Sequence, residues 1–111
     1  MRLEKEVNRE NLYREYLTLI NGILRLTDKE LELVALFLDI NDIDDNVFSV
    51  KNRKEVQIRA NVNGLNLNNH IVRLKKKGII IDDNGILVLN EKIIPIPING
   101  DIMVIYKLIV R

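Results

Sequence analysis

Apolar residues recur at spacings of three and four along the first half of the chain, which is the period of an amphipathic helix. Residues 8–24 predict one such helix, with Gly22 as its expected C-terminal stop. Residues 28–39 predict a second helix with a wide apolar face. Thr27 stands just before this helix and Glu30 is three residues later, which is the spacing of a capping box, so the start of the helix is well specified.

Two further helices are expected in the middle of the chain. A short helix is predicted to be capped by Asn52 and to end near Gly64. A longer helix over residues 66–77 has Asn66 as its predicted N-cap and Gly78 as its predicted stop. Its apolar face, at spacings of four and three, consists of Leu67, Ile71 and Leu74. The remaining positions of that helix are therefore expected to face solvent or a partner.

After Gly78 the pattern changes to short apolar runs separated by turn residues. Residues 79–81 and 86–89 predict two strands, and the intervening Asn84-Gly85 pair is a strong hairpin signal. Residues 102–110 predict a final strand that is apolar on both faces. Such a strand needs cover on both sides, and in so small a chain a second subunit could supply one of them.

Composition indicates a single domain without catalytic chemistry. The chain has 111 residues, of which 47% are hydrophobic, so we predict one α+β domain over residues 1–111. It has no Cys and one His, which excludes disulfides, thiolate metal sites and cysteine nucleophiles. No phosphate-loop or dinucleotide glycine motif occurs. We expect no enzyme activity, no cofactor and no metal.

The N-terminus gives no sign of targeting. Residues 1–6 are mostly charged and are followed by no apolar stretch, so we expect no signal peptide. The most apolar run, residues 102–110, contains Lys107 and is too short to span a bilayer. We therefore expect a cytoplasmic protein with no membrane partner.

The net charge of +1 hides a segregation of charge along the chain. Residues 28–45 contain seven acidic residues and one basic residue, Lys29, whereas residues 51–77 contain eight basic residues and one acidic residue, Glu55. This asymmetry favours a basic face for an anionic partner, although a solvated surface with chance clustering has the same composition. Single-stranded nucleic acid is disfavoured because none of the five aromatic residues lies in the basic stretch.

Three segments together resemble a known family. They are LTDKEL at residues 26–31, RKEVQIRA at residues 53–60 and LNNHIVRLKKKGII at residues 67–80. This order, followed at once by a hairpin, resembles the winged helix-turn-helix domains of bacterial and phage regulators, such as the MarR-like group. The resemblance covers residues 26–90. It implies a winged helix-turn-helix fold, to which the chain adds an extra N-terminal helix and an extra C-terminal strand.

The resemblance implies binding of double-stranded DNA, with helix 66–77 as the recognition helix in the major groove. Asn can pair with adenine in bidentate fashion and Arg with guanine, while the Lys residues near the helix end suit phosphates. The candidate DNA-binding residues are Asn66, Asn68, Asn69, His70, Arg73, Lys75, Lys76, Lys77, Arg53 and Lys54. A transcriptional regulator or a replication accessory protein, acting as a homodimer, is the expected function.

One feature departs from the family pattern. The predicted hairpin tip carries Asp82 and Asp83, where a wing usually offers basic residues to the DNA backbone. The recognition helix would then act alone. The alternative is a protein-interaction or phage assembly module that reuses the fold, since fold does not fix function.

Overall fold

The computed structural model describes residues 1–111 and is built around one buried helix. In chain order the elements are α1 (Leu12–Leu24), α2 (Asp28–Asn41), α3 (Val50–Ala60), α4 (Gly64–Lys76), β1 (Ile80–Asp83) and β2 (Ile86–Leu89). Helix α2 is the centre of the core, since eight of its fourteen residues are buried. The architecture is the predicted α+β class, four helices and a two-stranded antiparallel sheet, in a layout compatible with a winged helix.

Helix α2 begins where the capping box predicts. The backbone N–H of Glu30 donates to Thr27 Oγ1 at 3.2 Å, and the backbone N–H of Thr27 donates to Glu30 Oε1 at 2.8 Å. Two donors at the helix N-terminus are thereby satisfied by each other's side chains. Helix α2 continues to Asn41, two residues beyond the predicted end.

Helix α1, the predicted N-terminal helix, packs on α2 and contributes Tyr13 and Leu17 to the core. The predicted stop at Gly22 is wrong, because the helix passes through this residue and ends at Leu24. A left-handed residue, Arg25 with φ of 58°, terminates it instead. The side chain of Asn21 bonds both the N–H and the C=O of Leu26, and these two bonds fix the turn between α1 and α2.

The predicted caps of α3 and α4 lie three residues too far along the chain. Ser49 caps α3 by accepting from the N–H of Asn52, and Asn63 caps α4 by accepting from the N–H of Asn66 at 2.8 Å. Asn52 is instead buried in the first turn of α3, where its amide donates to Asp44 Oδ2. Asn66 lies exposed in the first turn of α4. The error arises because Asn is a plausible cap wherever it occurs.

The hairpin has the predicted turn. Strands β1 and β2 pair antiparallel from Ile80 opposite Leu89 to Asp83 opposite Ile86. Asn84 and Gly85 take φ of 54° and 88°, and a two-residue turn with both central residues left-handed is the kind that matches the twist of a hairpin.

The predicted strand over residues 102–110 does not form. This segment has no regular secondary structure and no backbone hydrogen bond within the chain. The strand is absent because neither β1 nor β2 pairs with it, and a strand needs a neighbour for its ladder. Its side chains reach the domain at Ile102, which packs against the core, and at Tyr106, whose hydroxyl donates to the carbonyl of Leu19 at 2.6 Å.

A partly buried ion pair, in which Glu30 is buried and Lys77 is exposed, joins α2 to the end of α4. Lys77 Nζ lies 2.6 Å from Glu30 Oε1 and also donates to the carbonyl of Arg25 at 2.8 Å. The Glu30 side chain is only 1% exposed. Burial alone would raise the pKa of Glu30, but the hydrogen bonds from Lys77 and Thr27 outweigh it and the pKa lies below its ordinary value.

We predict that Lys77→Met destabilises the fold by about 3 kcal/mol, because it leaves the Glu30 carboxylate buried without its cation. Glu30→Gln should cost less, since its amide oxygen can still accept from Thr27 and from a Lys77 that reaches solvent. Urea unfolding measures both, with Lys76→Met as the control at an exposed neighbour without an ion-pair partner. Equal losses for Lys77→Met and Lys76→Met would contradict this role of the pair.

The same pair predicts an acid dependence of stability. Because the pKa of Glu30 is lowered in the fold, its contribution is present above the pKa of the unfolded chain and is lost as the pH falls through the folded value. Glu30→Gln should therefore flatten the fall in unfolding free energy between neutral and acid pH. A variant whose acid dependence equals that of the parent would show that other carboxylates dominate.

Candidate nucleic-acid interface

Helix α4 divides sharply into a buried and an exposed face. The predicted buried face is confirmed, since Leu67, Ile71 and Leu74 are all at most 5% exposed. The exposed positions are Leu65, Asn66, Asn68, Asn69, Val72, Arg73, Lys75 and Lys76. A helix held to the core along one side in this way presents the other side as a rigid surface.

The exposed face changes in chemistry along the helix axis. Residues 65, 69, 72 and 76 follow one another at spacings of four, three and four, so they form one stripe. From the N-terminal end this stripe carries an apolar side chain, an amide, a second apolar side chain and an ammonium group. Leu65 and Val72 are 70% and 50% exposed, so the stripe offers apolar contacts as well as polar ones.

The charge of α4 has one sign. The helix contains no acidic residue, and its last turn carries Arg73, Lys75 and Lys76. Cations at the C-terminal end of a helix interact favourably with the helix dipole, so these residues also stabilise α4 itself. Neither Lys75 nor Lys76 has a hydrogen-bond or ion-pair partner in the chain, and both ammonium groups are free to meet an anion.

His70 lies at the edge of the exposed face, half-buried. Its Nδ1 is 3.2 Å from Nη2 of Arg73, one turn further along the helix. Burial and the nearby guanidinium both lower the pKa of His70, so the neutral ring, which can accept from Arg73, is favoured. We therefore regard His70 as a support that orients Arg73.

Lys77 is the one candidate residue that the structure commits elsewhere. Its ammonium group donates to Glu30 and to the carbonyl of Arg25, so this group has partners within the fold although the residue is exposed. The two candidates on α3 lie beyond the turn at residues 61–63. Lys54 is exposed, Arg53 is half-buried, and neither has an ion-pair partner.

One of the two acidic residues at the hairpin tip, Asp82, has a structural role. Asp82 Oδ1 accepts from the backbone N–H of Gly85 at 2.7 Å and so stabilises the turn. Asp83 is exposed, and no basic residue lies in β1, β2 or their turn. The hairpin therefore offers no cation to an anionic partner, and the positive charge of this half of the domain lies on α3 and α4.

Leu65 is the residue of this face that the sequence pattern does not find, since the predicted cap at Asn66 places it before the helix. From the sequence alone, Asn is as plausible a cap at residue 66 as at residue 63. The usable signal was Asn63 followed by Gly64: a cap at Asn63 would have placed Leu65 on the helix.

Comparison of the chain with protein-family models, with curated proteins and with solved structures finds no match. No group of three or more His, Cys, Asp or Glu side chains is placed to hold a metal ion. None of the helices is long and apolar enough to cross a bilayer.

Proposed function

We propose that the protein binds double-stranded DNA by inserting the exposed face of α4 into the major groove, as a transcriptional regulator or replication accessory protein. The observation that carries the proposal is the composition of that face: amides and two apolar side chains are followed by cations, with no acidic residue. A helix is about 10–12 Å in diameter with its side chains, and the major groove is about 12 Å wide.

The division of the face matches two separate tasks in DNA recognition. The amides of Asn68 and Asn69 suit the N6 and N7 atoms of adenine, and Val72 suits the methyl group of thymine. Lys75 and Lys76 lie in the last turn, where they suit phosphate oxygens, which position a protein but do not identify a sequence. Such a surface should prefer sites that contain A·T pairs.

The acidic hairpin tip restricts how the domain can sit on DNA. Asp82 and Asp83 would be repelled by the phosphate backbone, so the hairpin is expected to stand away from it. Phosphate contacts then come from α4 and from Lys54 on α3. So few cations give modest affinity, with a salt dependence of about 0.9 in log K per tenfold salt for each phosphate contact.

Replacing Arg73 and Lys76 together by Ala should weaken binding to duplex DNA. The slope of log K against log salt should become shallower by about 0.9 for each phosphate contact that is lost. Fluorescence anisotropy across a salt series measures this slope. The control, Lys5→Ala with Lys92→Ala, removes the same charge outside α4 and should leave the slope nearly unchanged. Identical slopes for the two double variants would refute the proposed face.

Asn69→Ala should reduce sequence preference more than general affinity. Base contacts carry the information about sequence, so the variant should lose about 1–3 kcal/mol on a site selected from random duplexes and little on unselected DNA. Lys76→Ala is the matched comparison and should weaken both substrates alike. If Asn69→Ala also weakens both alike, this amide does not read a base.

Replacing thymine by uracil in the selected site tests the apolar part of the face. This change removes the C5 methyl group and leaves the hydrogen-bonding edge intact. Binding should weaken by about 0.8 kcal/mol, or about fourfold, for each methyl that Val72 covers. Val72→Ala should bind the thymine and uracil sites more nearly alike. Equal binding of the parent protein to both sites would show that it does not contact the methyl groups.

A further inference from the structure

The C-terminal segment, residues 102–111, leaves most of its apolar side chains uncovered. Leu108 and Val110 are 92% and 95% exposed, and Ile105 is 85% exposed. Leu19 and Ile23, on the outer side of α1, are also exposed, and Tyr106 bonds the backbone at Leu19. The exposed apolar residues of this surface are Leu19, Ile23, Met103, Ile105, Tyr106, Leu108, Ile109 and Val110.

So many exposed large apolar side chains close together in sequence are uncommon on a monomeric protein. One partner in a stable complex contributes about 800 Å², which several large apolar side chains can supply together. The backbone of the segment is also unpaired, although its Ile, Val and Tyr residues favour a strand. Another extended chain can therefore pair with the backbone N–H and C=O groups of this segment by forming a strand beside it.

The charges that flank the segment indicate which chain that is. Asp101 and Arg111 stand five residues before and five residues after Tyr106. If two copies pair antiparallel about Tyr106, Asp101 of each copy lies opposite Arg111 of the other, and two ion pairs form. Neither residue has an ion-pair partner within its own chain. The segment is therefore complementary to itself in charge.

The same register also gives Leu108 and Val110, which the single chain leaves bare, an apolar cross-strand neighbour. Leu108 falls opposite Val104 of the second copy, and Val110 falls opposite Ile102 of the second copy. Val104 and Ile102 are the half-buried residues of the segment, and Ile102 packs against the core. Exposed residues 108–110 of each copy would therefore lie beside half-buried residues 102–104 of the other copy.

We propose that the protein forms a symmetric dimer through antiparallel pairing of residues 101–111 with the same residues of a second copy, centred on Tyr106. A twofold interface of this kind is self-complementary and closes without further growth. The dimer does not depend on DNA binding. If both proposals hold, it presents two copies of α4 to one duplex.

Charge reversal tests the register. Sedimentation equilibrium of the full chain at micromolar concentration should give a dimer mass. Asp101→Arg and Arg111→Asp should each weaken the dimer by about tenfold, because like charges then face each other at both ends. The double variant Asp101→Arg/Arg111→Asp should restore the parent affinity. Both positions are exposed, so neither change should disturb the fold. A double variant as weak as the single ones would overturn the register.

Cysteine pairing gives a second, independent test, since the chain has no Cys of its own. Tyr106→Cys should form a disulfide-linked dimer on mild oxidation, because the two residues 106 lie opposite each other. Asp101→Cys alone should not, because its two copies would be about 33 Å apart along the paired strands. Asp101→Cys with Arg111→Cys should cross-link. Cross-linking of Asp101→Cys alone, or none by the double variant, would overturn the proposal.

Leu108→Lys is a variant that should remove the dimer without affecting the fold, since the side chain is almost fully exposed in the single chain. Sedimentation equilibrium of this variant should give a monomer mass. Its circular dichroism spectrum should equal that of the parent protein. Two results would overturn the proposal: a parent protein that stays monomeric at about 100 µM, or a Leu108→Lys variant that dimerises as the parent does.

Discussion

The contact between Glu30 and Lys77 joins the start of α2 to the ends of α1 and α4, and the position of the candidate site on α4 depends on it. A single carboxylate oxygen, Glu30 Oε1, accepts from the Thr27 backbone at the start of α2 and from the ammonium group that follows α4. The same ammonium group bonds the carbonyl of Arg25, the residue that terminates α1. Three helices therefore meet at one cation. The other oxygen, Oε2, is buried without a hydrogen-bond partner, so the carboxylate depends on Lys77 for compensation.

The sequence predicts the structure correctly where a local interaction leaves one physical answer. The box at Thr27 and Glu30 satisfies two backbone donors reciprocally, and the turn at Asn84-Gly85 needs residues that tolerate positive φ. The apolar face of α4 was found because only one helix face can be buried. The helix starts at α3 and α4 were missed because Asn serves as a cap in one place and as an exposed or buried helix residue in another. Tertiary packing decides which of these positions each Asn takes.

The C-terminal segment shows what an apolar run leaves unspecified. Residues 102–110 have the composition of a strand, but composition does not name the neighbour that completes the ladder. The chain holds Tyr106 against α1 and leaves the segment's backbone without partners. The polarity and charge of α4 do follow from the sequence once its buried face is known, because each exposed side chain keeps its own chemistry.

The most direct test of the DNA-binding proposal is to titrate ¹⁵N-labelled protein with a random-sequence duplex at low salt and follow the amide resonances. If α4 binds DNA, the shifts should concentrate on α4, including the side-chain amides of Asn66, Asn68 and Asn69, and should disappear when salt is raised. The resonances of the acidic hairpin tip at Asp82 and Asp83 should move little. No shift at low salt, or shifts centred on the hairpin or on residues 102–111, would contradict the account.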